Sequence, residues 1–189
     1  MTFPDVHDIM EEIKWGGIEN RPVIPVWRII SMQFLIMTLF AAGIVAADQF
    51  TKYLTVAHIA LYQDVEFIPG FLGLTYVQNT GAAFSSFEGQ QWLFALIFTI
   101  FTLLILFEYF KKSMDFTKFE RWCIAAIYGG GLGNMIDRVR FGYVVDMIET
   151  KFMEFPVFNV ADCFITCGCI AMLISLIFFN KDFWKEEKK

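Results

Sequence analysis

Four stretches of the chain continue for about the length of a membrane helix without one charged side chain. A hydrocarbon layer about 30 Å thick takes about 20 residues at the helical rise of about 1.5 Å. The first stretch lies between Arg28 and Asp48 (IISMQFLIMTLFAAGIVAA), the second between Glu88 and Glu108, and the fourth runs from Cys163 to Asn180. The third, between Arg121 and Asp137, is shorter and is interrupted by GGGLG. Composition points the same way: 57% of residues are hydrophobic and 19% charged, where a soluble domain carries roughly a quarter charged. That is more apolar surface than one core hides. The predicted fold is an all-α membrane protein, a bundle of four transmembrane helices. The first stretch is expected to be a retained span, because it is too long and too far from the start for a signal peptide and no small-x-small site follows it.

The distribution of Lys and Arg predicts the orientation. Lys14, Arg21 and Arg28 precede the first span; Lys111, Lys112, Lys118 and Arg121 separate the second from the third; Lys181, Lys185, Lys188 and Lys189 follow the fourth. The other two connections hold Lys52 alone, and Arg138, Arg140 and Lys151. The positive-inside rule then places both termini in the cytoplasm. The expected organisation is a cytoplasmic tail over 1–28, a transmembrane domain over 29–180 with extracytoplasmic loops 48–90 and 137–162, and a cytoplasmic tail over 181–189. Within loop 48–90, TKYLTVAHIALYQ has the spacing of an amphipathic helix lying in the interface. VEFIPGFLGLTYVQN, rich in aromatic and β-branched residues and broken by Pro69-Gly70 and Gly73, reads as a small sheet.

Several chemistries are disfavoured. A formal charge of −5 with no basic stripe argues against nucleic acid. Cys163, Cys167 and Cys169 have a spacing reminiscent of a metal site, but cysteine in an apolar helix is more often a small buried hydrophobe. His7 and His58 have no second His or Cys nearby, so the sequence calls for no metal and no cofactor.

The unusual residues all lie on the predicted outer side: ADQFTK after the first span, QNTGAAFSS before the second, GNMIDRVRFG after the third and FNVAD before the fourth. Ionisable groups at membrane depth are expensive and by default mark a functional site. Structural roles are available for most of them. Asp48 and Lys52 stand four apart and share a helix face. Asp137 is expected to pair with its neighbour Arg138 or to close a helix end. Asn79, Thr80 and Gly81 suit a turn. Gly129, Gly130, Gly131 and Gly133 admit a close helix neighbour, and Asn134 needs a hydrogen-bond partner, which a backbone group could supply. Asp162 suits the positive end of the fourth helix with Asn159 as its cap. Asp146 is the exception: it interrupts the apolar run YVVDMI with no cation beside it. Two carboxylates within hydrogen-bond reach share a proton near neutral pH. The ionised one can then take a proton from water while the protonated one polarises a carbonyl, which hydrolyses an amide without metal or covalent intermediate.

DQFTK at 48–52, NTGAAFS at 79–85, GGGLGNMIDRVRFGYVVDMI at 129–148 and FNVADCFIT at 158–166 resemble the lipoprotein signal peptidases, or signal peptidase II. The resemblance covers about Met32 to Phe179, and GNxxDRxxxGxVxD combined with FNxAD is its specific part. It implies an aspartic endopeptidase of the bacterial inner membrane that cuts diacylglyceryl-modified prolipoproteins just before the lipidated cysteine; one chain contains every part this requires, so a functional monomer is expected. By motif the resemblance assigns catalysis to Asp146 and Asp162. It surrounds them with Asp48, Asn79, Gly81, Asn134, Arg138, Asn159 and Ala161, with Asp137 as structural support; Lys52, four residues after Asp48, is expected to support the site and Gly133 to be structural. It also implies a small extracytoplasmic sheet that cradles substrate, membrane lipid around the spans, and binding of globomycin-type inhibitors. Met147 stands where the family usually has Phe, a swap that keeps apolar bulk. The tail before the first span is longer than the family needs.

On this reading Asp162, at a helix start, is expected to be ionised and Asp146 to hold the proton. One rival is a proton-coupled transporter using Asp48, Asp137, Asp146 and Asp162 as a relay, although all four lie on one side. Another is an intramembrane protease of the presenilin type, whose Gly-x-Gly-Asp motif is absent from the chain.

Overall fold

The structure, a computed structural model, describes residues 26–81, 89–111, 114 and 116–180, with side chains from Met32 onward. Most of the predicted tails, 1–25 and 181–189, and residues 82–85 of NTGAAFS lie outside the described residues. Contacts divide the chain into Met1–Leu35 and Ile36–Lys189. The described part of the first unit is the start of a helix, and the second unit contains the rest of that helix and every other element discussed below.

Helix α1 spans Val26–His58, strands β1 and β2 span Asp64–Ile68 and Leu72–Asn79, and α2 spans Gln91–Lys111. Helix α3 (Lys118–Phe141), strand β3 (Val144–Thr150) and α4 (Val160–Ile174) follow, with a π-helical extension over Ser175–Phe179. Among the described residues, three helical segments are long and apolar enough to cross a membrane: Met32–His58, Gln91–Lys111 and Val160–Phe179. Helix α3 is a continuous 24-residue helix but does not meet that standard. Its glycines and its Asn134, Asp137, Arg138 and Arg140 lower its hydropathy. The architecture is thus mostly helical, with a three-stranded antiparallel sheet in the order β1-β2-β3.

The helices carry large apolar side chains outward, the reverse of a soluble protein. On α2 no residue is buried, and Leu96, Ile97, Ile100, Leu103, Leu104 and Phe107 are all exposed. A helix apolar all round belongs in lipid or a large core. What packs inside is small. A Cβ on Gly129 would lie 2.9 Å from the Ala41 carbonyl oxygen, one on Gly130 2.5 Å from that of Ala161, and one on Gly133 2.6 Å from Asp48 Oδ2. The glycines of α3 therefore bring α1 and α4 into backbone contact, while Gly131 faces the Phe98 ring of α2. At the far end of α3, buried Glu120 closes a capping box with Thr117 and accepts from Ser175 Oγ and Asn180 Nδ2, each at 2.8 Å. That node ties the start of α3 to the end of α4.

Two expectations need correction. TKYLTVAHIALYQ does not begin a separate interfacial helix, because α1 continues unbroken through Asp48 to His58. No Gly or Pro lies between Asp48 and His58, and the Lys52–Asp48 ion pair (2.8 Å) neutralises the charge that looked like a span end. The small sheet over 65–78 is present, turning at Pro69-Gly70, but it gains a third strand from Val144–Thr150. Val144, Val145, Asp146 and Met147 are all buried. Val145 and Met147 pack with Tyr76 in a core cluster, while β3 pairs Val77 with Asp146 and Asn79 with Val144. The apolar run around Asp146 is a strand covered on both faces.

Candidate active site

Three local structures aim polar side chains into one region. Asn159 caps α4: its Oδ1 accepts from the Asp162 N–H (2.9 Å) and Asp162 Oδ2 accepts from the Asn159 N–H (3.1 Å). This capping box fixes the Asp162 carboxylate at the helix start. Strand β3 presents Asp146 beside β2, whose Asn79 Nδ2 donates to Asp146 Oδ2 (2.9 Å). Asn159 Nδ2 donates to the other oxygen, Oδ1, at 2.6 Å. Asn159 therefore contacts both carboxylates at once.

Asn134 of α3 completes the frame. Its Nδ2 donates to Asp162 Oδ1 (2.8 Å), and its Oδ1 accepts from Lys52 Nζ (2.8 Å) and Asn159 Nδ2 (3.1 Å). A backbone N–H and an ammonium can only donate, so Asp162 and Lys52 fix which end of each amide is oxygen. The three protons of Lys52 go to Asn134, Asp48 (2.8 Å) and Asp137 (2.9 Å). Asp48 also accepts from the Ala161 N–H (3.0 Å), locking α1 to the first turn of α4. Asp137 accepts from the Val145 N–H (3.1 Å), locking α3 to β3.

The expected pairing of Asp137 with Arg138 is not what forms. Successive helix residues point about 100° apart, so Asp137 faces Lys52 while Arg138 turns to the loop after β2. Arg138 Nη2 donates to the Gly81 carbonyl (3.0 Å), its guanidinium lies 4.2 Å from the centre of the Phe94 ring, and the Gly81 N–H donates to Asn79 Oδ1 (2.9 Å). Asn134 likewise finds side-chain partners in place of a backbone group. Gln49 was not singled out in the sequence, yet its amide bridges Asp137 (2.8 Å), the Gly133 carbonyl (3.2 Å) and Asp48 (3.3 Å). The signal available was its place beside Asp48 in DQFTK.

The electrostatics are lopsided. Asp48, Asp137, Asp146 and Asp162 face the two cations Lys52 and Arg138. Burial chiefly, opposed by the Asn79 and Asn159 amides and reinforced by the Asp162 charge, pushes the Asp146 carboxyl up from its ordinary 3.8 to about 7. A proton on Asp146 relieves the excess of negative charge. One protonated and one ionised carboxyl joined through a shared amide can act as acid and base together.

A family model described as Signal peptidase (SPase) II matches residues 40–178. The chain belongs to the signal peptidase II family. It is accordingly a protease, and the solved structures it resembles are membrane enzymes. The lipoprotein signal peptidase of Streptococcus agalactiae serotype Ia is 44% identical over 156 residues, covering 82% of this chain and 96% of that relative. The lipoprotein signal peptidase of Enterococcus faecalis is also 44% identical, over 157 residues, covering 82% and 92%. A bacterial membrane enzyme solved by the in meso method at 2.3 Å resolution matches with a TM-score of 0.71 and 34% identity, over 82% of this chain and 93% of that one. A second such structure, at 1.9 Å, matches with a TM-score of 0.68 over 76% and 94%. As a member of the signal peptidase II family, the chain carries all four polar clusters within the matched span.

Proposed function

We propose that this protein removes signal peptides from diacylglyceryl-modified prolipoproteins, cutting just before the lipidated cysteine with a water activated between Asp146 and Asp162. The carrying observation is Asn159, which donates to Asp146 and to Asp162 from one residue. Asp162, at the positive end of α4, is the base that takes a proton from water. Asp146 holds a proton near neutral pH and donates it toward the scissile carbonyl. Asn79, Asn134, Asn159 and Ala161 position the two carboxyls, while Asp48, Lys52 and Asp137 fasten the elements that carry them. Gly133 leaves room for Asp48, and Arg138 with Gly81 holds the loop above Asn79.

The acyl chains remain in lipid along the apolar helices and supply binding without chemistry. With α3 as a fourth span, the site and the sheet face the extracytoplasmic side of the bacterial cytoplasmic membrane, both termini are cytoplasmic, and one chain suffices. The relatives' names, lipoprotein signal peptidase, support the substrate class.

The test is cleavage by the purified protein of a diacylated prolipoprotein and its unlipidated twin. Cleavage of the lipidated form alone, blocked by globomycin, is expected. Equal cleavage of both, or of neither, contradicts the substrate assignment.

A further inference from the structure

Tyr62 is the one non-glycine residue among the described residues with a positive φ, +61°. An aromatic side chain is disfavoured in that left-handed region, which glycine and asparagine occupy more easily. The backbone is held there by the Tyr62 N–H donating to the Tyr76 carbonyl (2.8 Å), at the turn between α1 and β1. The residue is 70% exposed, so the ring is not there to fill a core. Residues in sparsely populated backbone regions cluster at functional sites.

Tyr62 and Asp146 line one cavity of about 1080 Å³. Among the described residues none of the lining belongs to a helix: the walls are β2, β3, the segment up to Val157 and Tyr62 itself. The cavity thus leads from Asp146 away from the apolar helices. Its lining is mixed, with Gln78, Glu149 and Lys151 beside Phe152, Met153 and Phe155, and Lys151 stiffens it by pairing with Asp64 of β1 and Glu149 of β3.

A lipidated substrate has three parts leaving the scissile bond. The signal peptide core and the acyl chains return to lipid; only the polypeptide after the cysteine continues into water. We infer that the cavity takes this following polypeptide, and that Tyr62 is a specificity-determining residue whose ring packs against its first residues. The inference rests on the proposed function, since it takes Asp146 to mark the scissile bond.

Two diacylated substrates with the same signal peptide separate the possibilities, one ending at the lipidated cysteine and one carrying several further residues. For the unaltered protein the longer substrate is expected to have a kcat/KM about five-fold higher, through KM, as one aromatic contact provides. In Tyr62→Gly that ratio is expected to fall to about one, with a thermal midpoint no lower, because glycine relaxes the backbone. Tyr62→Phe keeps the ring and should keep the ratio. Tyr62→Asn, which also tolerates this backbone, replaces the glycine variant if that expresses poorly. A ratio unchanged in Tyr62→Gly, or no gain from extension in the unaltered protein, overturns the inference while leaving the proposed function intact. Failure to cleave either substrate sinks the proposed function and this inference with it.

Discussion

Asn159 donates through Nδ2 to Asp146 and through its backbone N–H to Asp162, and both carboxyls are otherwise contacted by amides, not cations. Amide hydrogen bonds orient a carboxyl without forcing it to ionise as fully as an ion pair would. Asp146→Asn and Asp162→Asn are each expected to lower kcat by about 10²- to 10⁴-fold, the range of a lost general acid or base. Retained processing by either variant would remove that residue from the chemistry. Stability separates this from unfolding. Because the folded protein lifts the Asp146 carboxyl from 3.8 to about 7, it binds that proton more tightly than the unfolded chain does. The contribution of Asp146 to stability is therefore fully present below about pH 4, is lost by on the order of 4 kcal/mol as pH rises toward 7, and then levels off. Asp146→Asn should therefore melt higher than the unaltered protein at pH 8, with a smaller difference at pH 5. Lys52 behaves oppositely. It is buried against the equally buried Asp48 and Asp137, so Lys52→Met leaves two carboxylates without their cation. A loss of about 3–5 kcal/mol is expected; an unchanged thermal midpoint would contradict the pairing.

At the scale of elements, the site depends on how closely α3 approaches α4. Gly130→Ala places a methyl 2.5 Å from the Ala161 carbonyl oxygen, in the first turn of the helix that Asn159 caps. Overpacking there is expected to lower stability by about 1–3 kcal/mol and to lower activity with it. Gly131→Ala, which meets only the Phe98 ring at 3.1 Å, is the milder control, and equal damage from both would argue against the close approach. The hairpin was legible in the sequence because Pro69-Gly70 stands between two aromatic and β-branched runs. Strand β3 was not, because an alternating pattern vanishes when Val144–Met147 is buried on both faces. The continuation of α1 past Asp48 was hidden for a related reason: a charge inside an apolar helix resembles a span end until its partner one turn on is recognised. The Asp48–Lys52 pair itself was readable from spacing. Asp137–Lys52 was not, since it joins residues far apart in sequence.

At the scale of the molecule, the apolar side chains of the described helices face outward while a polar network occupies the interior near the sheet, with the Glu120 node at the opposite ends of α3 and α4. That inversion was legible from composition and the uncharged stretches. The number of apolar spans was less so, because α3 trades hydropathy for the glycines and polar residues that build the network. The four clusters were traceable to one region through their motifs, whereas the role of Asn159 in joining the two carboxyls emerges only once β3 and α4 are placed together. The most direct measurement of proton sharing is the pH dependence of kcat/KM on a diacylated substrate. A bell is expected, with an alkaline limb near pH 7 as Asp146 loses its proton and an acidic limb as the pair takes up a second one. A single limb, or a flat profile across neutral pH, would contradict a proton shared between them.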